Sequence, residues 1–148
     1  MRIRLMVICS LLTATASAYS AEEPRPIGLI KVATGDAVIL RTSQRIIAKP
    51  GYQIYQKDTL STGPTGAISV ILRDDTVLAL GSSSEIHIDR FAFEPSSQDL
   101  GMVLRVTRGI IGYRSGRIAK LAPDAVRIET PKATMGIRGT YLMMRIVP

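Results

Sequence analysis

Gly66-Ala67-Ile68-Ser69-Val70-Ile71-Leu72-Arg73, then Asp74-Asp75, then Thr76-Val77-Leu78-Ala79-Leu80-Gly81, spells a β-hairpin. Ile68, Val70 and Leu72 recur at every second position and so share one face of an extended chain. Arg73-Asp74-Asp75-Thr76 follows with carboxylates that bond nearby backbone N–H groups, and a second apolar run starts at once. Two strands, over residues 66–73 and 76–81, are expected with a tight reversal between them.

The same pattern extends in both directions. From Ile27 on, short apolar stretches alternate with Gly, Pro, Asp and Ser at intervals of about eight to twelve residues, as in an all-β domain. Lys49-Pro50-Gly51 and Thr62-Gly63-Pro64-Thr65-Gly66 combine a preset φ with positions that accept positive φ. Leu100, Met102, Leu104 and Val106 line one strand face and turn Arg105 and Thr107 the other way. Ile86 and Ile88 oppose Glu85, His87 and Asp89, while Leu142, Met144 and Ile146 oppose Tyr141, Met143 and Arg145. A polar loop, Glu94-Pro95-Ser96-Ser97-Gln98-Asp99, is expected to separate two halves. Helix is expected only as a turn or two over residues 115–121. The fold class is therefore all-β: a single domain over residues 27–147, a β-sandwich or short β-solenoid-like stack of about ten short strands.

Length and composition agree. A chain of 148 residues supports one modest core, and 46% hydrophobic with 21% charged residues describes a globular protein rather than a disordered or fibrous one. Residues 1–18 read as a secretory signal peptide, with Arg2 and Arg4, an apolar run from Leu5 to Leu12, and Ala16-Ser17-Ala18. Cleavage is expected after Ala18 or, alternatively, Ala21, and residues 19–26 are expected to be a flexible lead-in. The apolar run is shorter than the ~20 residues a spanning helix needs, and no later stretch is long enough, so the expected location is the periplasm or the cell exterior. Cys9, the one cysteine, would leave with the signal, so thiol catalysis, disulfides and thiolate metal sites are not expected of the mature chain.

The formal charge is +7, and +5 once Arg2 and Arg4 are gone. Residues 19–100 hold 8 basic and 10 acidic groups, whereas residues 101–148 hold 9 basic and 2 acidic. Such basic density invites a nucleic-acid reading, but export and the sparse aromatics Tyr113 and Tyr141 speak against it. Anionic envelope polymers such as a glycan, lipid head groups or an acidic envelope protein are the more reasonable partners. Arginine dominates the cluster, and its planar fork favours geometry-specific contacts, which makes Arg105, Arg117 and Arg127 the candidate anion- or partner-binding residues.

Catalytic chemistry is thin. Glu85, His87 and Asp89 share a strand face, but residues two apart lie about 7 Å from each other, so one strand does not wrap a small cation. No G-x-S-x-G elbow, H-E-x-x-H helix, P-loop or G-x-G-x-x-G occurs. Asp36, Asp58, Asp74, Asp75, Asp89 and Asp124 mostly adjoin turn formers, where a carboxylate caps backbone N–H groups. No enzyme activity, catalytic residue, metal site or cofactor is expected.

Particular residues then say more than composition. Thr59-Leu60-Ser61-Thr62-Gly63-Pro64-Thr65-Gly66-Ala67-Ile68-Ser69-Val70, Leu72-Arg73-Asp74-Asp75-Thr76-Val77-Leu78-Ala79-Leu80-Gly81 and Ser84-Glu85-Ile86-His87-Ile88-Asp89 resemble the FecR-type domain of bacterial envelope proteins. So do Arg108-Gly109, Ser115-Gly116 and the closing box Glu129-Thr130-Pro131-Lys132-Ala133-Thr134-Met135-Gly136-Ile137-Arg138-Gly139-Thr140. The resemblance runs from about Ile27 to Ile146, with Asp75 where the family usually has Gly. It implies an all-β fold and an envelope location, and it marks Thr130, Pro131, Gly136, Arg138, Gly139 and Thr140 as a structural box. Thr130-Pro131 starts an extended edge, the two glycines permit tight backbone approach or positive φ, and Arg138 is expected to bond backbone carbonyls or a carboxylate inside the domain.

The best-known members of that family span the membrane and relay a signal from an outer-membrane transporter to a cytoplasmic sigma-factor-binding segment. Neither such a segment nor a spanning helix is recognisable here, so the complete relay is not implied. The expectation is an exported, non-catalytic module for protein–protein interaction or envelope sensing, with binding of an anionic glycan as the alternative.

Overall fold

The computed structural model describes residues 23–147, so the expected signal peptide and its cleavage points lie outside the described residues. Twelve strands follow one another: β1 (Gly28–Thr34), β2 (Ala37–Arg41), β3 (Gln44–Ile47), β4 (Gln53–Ile54), β5 (Thr59–Thr62), β6 (Ala67–Leu72), β7 (Val77–Leu80), β8 (Glu85–Glu94), β9 (Asp99–Arg114), β10 (Val126–Glu129), β11 (Thr134–Gly136) and β12 (Tyr141–Ile146). One short helix, α1 (Arg117–Leu121), falls where a helical turn is expected. The all-β expectation holds, and the layered form it takes is one continuous sheet curled into a half-barrel around a single core.

The long strand β9 is the spine. Along one of its edges β8 and then β7 run antiparallel, from Glu94 opposite Asp99 to Val77 opposite Arg114. Along the other, β10 runs parallel to Met102–Arg105 and β12 antiparallel to Gly109–Arg114. From β8 the sheet continues through β5, β2 and β3, and from β7 through β6, β1 and β4. Residues 94–99 do not separate two halves as expected. Glu94 and Asp99 pair directly, and Pro95–Ser97 forms a single 3₁₀ turn at the tip of the β8–β9 hairpin.

A strand that serves two arms of a curled sheet must change which side it buries. Met102, Leu104 and Val106 are buried on even positions of β9, then Ile111 and Tyr113 on odd ones. The switch occurs at Gly109, whose φ of 93° is open to glycine and strained for other residues. The Ser84 side chain packs against it, accepting a hydrogen bond from Ile110 N (2.9 Å) and donating to Ile110 O (3.1 Å). Thr62 completes the junction, with its hydroxyl donating to Gly81 O (2.6 Å) and accepting from Ser84 N (2.9 Å). β8 also changes phase, from Ile88 to Phe91, through a register shift at Asp89.

The β6–β7 hairpin forms as its sequence requires. Asp75 N donates to Leu72 O (3.0 Å) and Leu72 N to Thr76 O (2.9 Å), enclosing a three-residue loop whose last member, Asp75, has a φ of 68°. Asp74 is fully buried and accepts from Thr76 N (3.1 Å), Thr76 Oγ1 (2.8 Å) and Ile118 N (3.2 Å). Its backbone carbonyl takes Arg117 N (2.6 Å). Asp74 thus caps α1 across 44 residues, a service that the N-cap Gly116 has no side chain to perform.

Candidate interaction surface

The curled sheet has two outer faces with opposite chemistry. On the arm built from β5, β8, β10 and the first part of β9, the outward side chains form a ladder of paired charges. Arg105 lies 2.6 Å from Asp89 and 3.6 Å from Glu129, and Arg108 lies 3.5 Å from Glu85. Thr107 donates to Glu85 (2.9 Å), the Thr59 hydroxyl and His87 Nδ1 share a 2.7 Å hydrogen bond, and His87 Nε2 is 3.3 Å from Asp89. Glu85, His87 and Asp89 therefore do gather on one face, where the neighbouring strands supply their partners. Among the described residues no His, Cys, Asp and Glu cluster is arranged to hold a metal ion.

On the other arm, register across β12, β9, β7, β6 and β1 lines up Tyr141, Arg114, Val77, Ile71 and Leu29 in one row. Met143, Gly112, Ala79, Ser69 and Val32 form the next. These two rows are apolar or small-chained except for Arg114. Tyr141 is 68% exposed and Met143 64% exposed, and Leu29 and Val32 are exposed at the far side. Gly112 makes the centre flat, with the Tyr141 hydroxyl 3.9 Å from where a Cβ would stand. Among the described residues β12 pairs with β9 alone, which leaves its outer edge open.

The three candidate arginines do not form one surface. Arg105 and Arg127 face outward on the charged arm, Arg105 already paired and Arg127 exposed opposite Gly136. Arg117 sits on α1 with its guanidinium 4.9 Å from the ring centre of Phe93. Phe93 belongs to the same row as the buried Phe91, so Arg117 lies on the other side of that sheet. The register shift at Asp89 and the path of α1, neither of which leaves a mark in strand alternation, produce this division.

The closing box also differs from expectation. Arg138 does meet a carboxylate, Asp124 at 3.2 Å, but both are on the surface, 80% and 87% exposed, and not inside the domain. Gly139 uses its freedom, with φ at 136°, whereas Gly136 has open space where a Cβ would stand, so close approach is not what it provides. Thr130 closes a tight turn over Pro131 and Lys132 by bonding Ala133 N and O (both 3.1 Å), and Thr140 O accepts from Ser115 N (3.0 Å). The box therefore positions β11 and delivers the chain to β12. The alternation of β12 was read from the sequence, but its outward residues were not among the candidate site residues. The signal was present in Tyr141 and Met143, large apolar side chains on the face opposite Leu142, Met144 and Ile146.

A family model described as FecR protein matches residues 58–146, more than half of the chain. The chain belongs to the FecR family. Among curated proteins and solved structures nothing matches. Much of the FecR pattern is explained by architecture: Thr62, Gly81, Ser84 and Gly109 build the junction, and Asp74, Thr76 and Gly116 build the turn that caps α1. FecR membership is consistent with an envelope sensing or signalling module. Among the described residues no helix is long and apolar enough to cross a membrane.

Proposed function

We propose that this FecR domain is a non-catalytic protein-interaction module, exported to the cell envelope and used in sensing or signalling, that meets its partner on the outer face ending at β12. The observation that carries the reading is the contrast between the two outer faces. One pairs Arg105 and Arg108 with acids of the same domain, while the other leaves Tyr141 and Met143 exposed beside an open strand edge. Native proteins usually blunt such an edge with charge, proline or a bulge, because it templates pairing with another chain, and on β12 Arg145 is the single charge. Arg2, Arg4 and the Ala16-Ser17-Ala18 site support export.

The test is a photo-crosslinking residue placed at Met143, and separately at Arg90 on the charged arm, in cells making the full chain. A discrete protein adduct from position 143 and none from position 90 is expected. Equal labelling at both, or capture only of sedimenting polysaccharide that salt releases, would overturn the reading and favour an anionic glycan. N-terminal sequencing of the envelope fraction tests export, and a chain still starting at Met1 would contradict it.

A further inference from the structure

Tyr141, Met143 and Arg145 turn more than their side chains away from the domain. The hydrogen bond from Ser115 N to Thr140 O sets the phase of the β9–β12 ladder. Leu142, Met144 and Ile146 then exchange backbone hydrogen bonds with Tyr113, Ile111 and Gly109, and alternation leaves the N–H and C=O groups of Tyr141, Met143 and Arg145 pointing to the open side. The residues that offer backbone pairing are thus the same ones that present exposed side chains.

Charge decides what fits there. Arg145 lies at one end of this stretch and Arg114, directly across from Tyr141, at the other. Both are exposed, and neither has a carboxylate partner among the described residues. The two acids of the C-terminal third are engaged elsewhere, Asp124 with Arg138 and Glu129 with Arg105. Lys132 joins Arg145 in lining a cleft of about 380 Å³ at the end of β12, together with Pro131, Ile146 and Val147.

We infer that β12 accepts an extended segment of a partner protein by strand addition, and that this segment carries a carboxylate two residues before and two residues after an apolar residue. The inference rests on the interaction reading above and gives its partner a chemistry. An added strand turns every second side chain to the same outer face. An apolar residue opposite Met143 extends the surface made by Tyr141, Gly112 and Ala79, and the flanking carboxylates reach Arg145 with Lys132 at one end and Arg114 at the other. The pattern reads the same in both directions, so it fits parallel or antiparallel addition. A second copy of this chain is disfavoured, because its β12 would bring another arginine and no carboxylate.

The test uses the full exported chain and short synthetic peptides of acidic–x–apolar–x–acidic pattern, with binding read by fluorescence anisotropy. The acidic peptide is expected to bind, to weaken as salt rises toward about 0.5 M, and to be rejected about tenfold or more by the Arg114→Glu/Arg145→Glu double variant. A peptide with lysines in place of the acids should recover binding to that variant and not to the parent chain. Met143→Pro removes an N–H from the open side only, so it should abolish peptide binding while the circular dichroism stays that of a folded sheet. Unchanged affinity in both variants, or sedimentation as a dimer that the charge reversal leaves intact, overturns the inference. A Met143 crosslink to a protein that persists when acidic peptides fail sinks the acidic-strand chemistry alone; loss of that crosslink sinks the interaction reading too.

Discussion

Gly109 and Ser84 share one space: the serine side chain lies where a Cβ on residue 109 would stand, at the bend where β9 passes from one arm of the sheet to the other. Gly109→Ala therefore meets a backbone conformation hostile to side chains and a steric conflict at once. Thermal unfolding is expected to show a loss of about 3 kcal/mol or more, and a loss below about 1 kcal/mol would contradict the packing described.

Asp75 is an opportunity in the opposite direction. It holds the left-handed position of a three-residue hairpin loop at φ 68°, where glycine is free of strain. Asp75→Gly is expected to raise stability by about 0.5 kcal/mol in denaturant unfolding, strain relief exceeding the added entropy of the unfolded chain. A clear destabilisation would show that the Asp75 carboxylate has a stabilising role.

Asp74→Ala should be costly. It strands Thr76 N, the Thr76 hydroxyl and Ile118 N, all buried groups that now donate to one carboxylate. About 3 kcal/mol is expected, with early amide exchange of α1 as the local signature. Equal protection of α1 in parent and variant would refute the capping role.

Alkaline pH probes the core from the side of Tyr113. Burial, and secondarily the Asp74 carboxylate, push its phenol up to about 12; Thr76 offsets part of the rise although it lies outside hydrogen-bond geometry. Unfolded tyrosine titrates near 10, so between these values the folded state holds a proton the unfolded state has lost. The resulting contribution is intact below about pH 10 and disappears as pH rises toward 12. Tyr113→Phe should flatten that decline relative to the parent chain, and superimposable stability–pH curves would contradict it.

The hairpin over residues 66–81 and the short helix near Arg117 were legible because local chemistry dictates them: period two in Ile68, Val70 and Leu72, and turn residues at Asp74 and Asp75. The charged ladder was legible only as strand alternation. Which cation meets which acid depends on β8 and β10 flanking β9, and residues 85, 105 and 129 become neighbours solely through that pairing. Arg138 illustrates the limit most directly. Its glycine neighbours suggested an interior knot, yet the chain passes over the surface there, and Gly136 faces open space. Arg117 left its expected companions because α1 docks through Asp74, a contact between residues 44 apart that no periodicity records.

Residue-resolved amide hydrogen exchange across β12 tests the central claim most directly. In the free chain, the N–H groups of Leu142, Met144 and Ile146 should be protected by β9, while those of Tyr141, Met143 and Arg145 exchange rapidly from an open edge and slow when the acidic peptide is added. Uniform protection of all six before any partner is present would mean that the edge is already covered, and would contradict the function assigned to it.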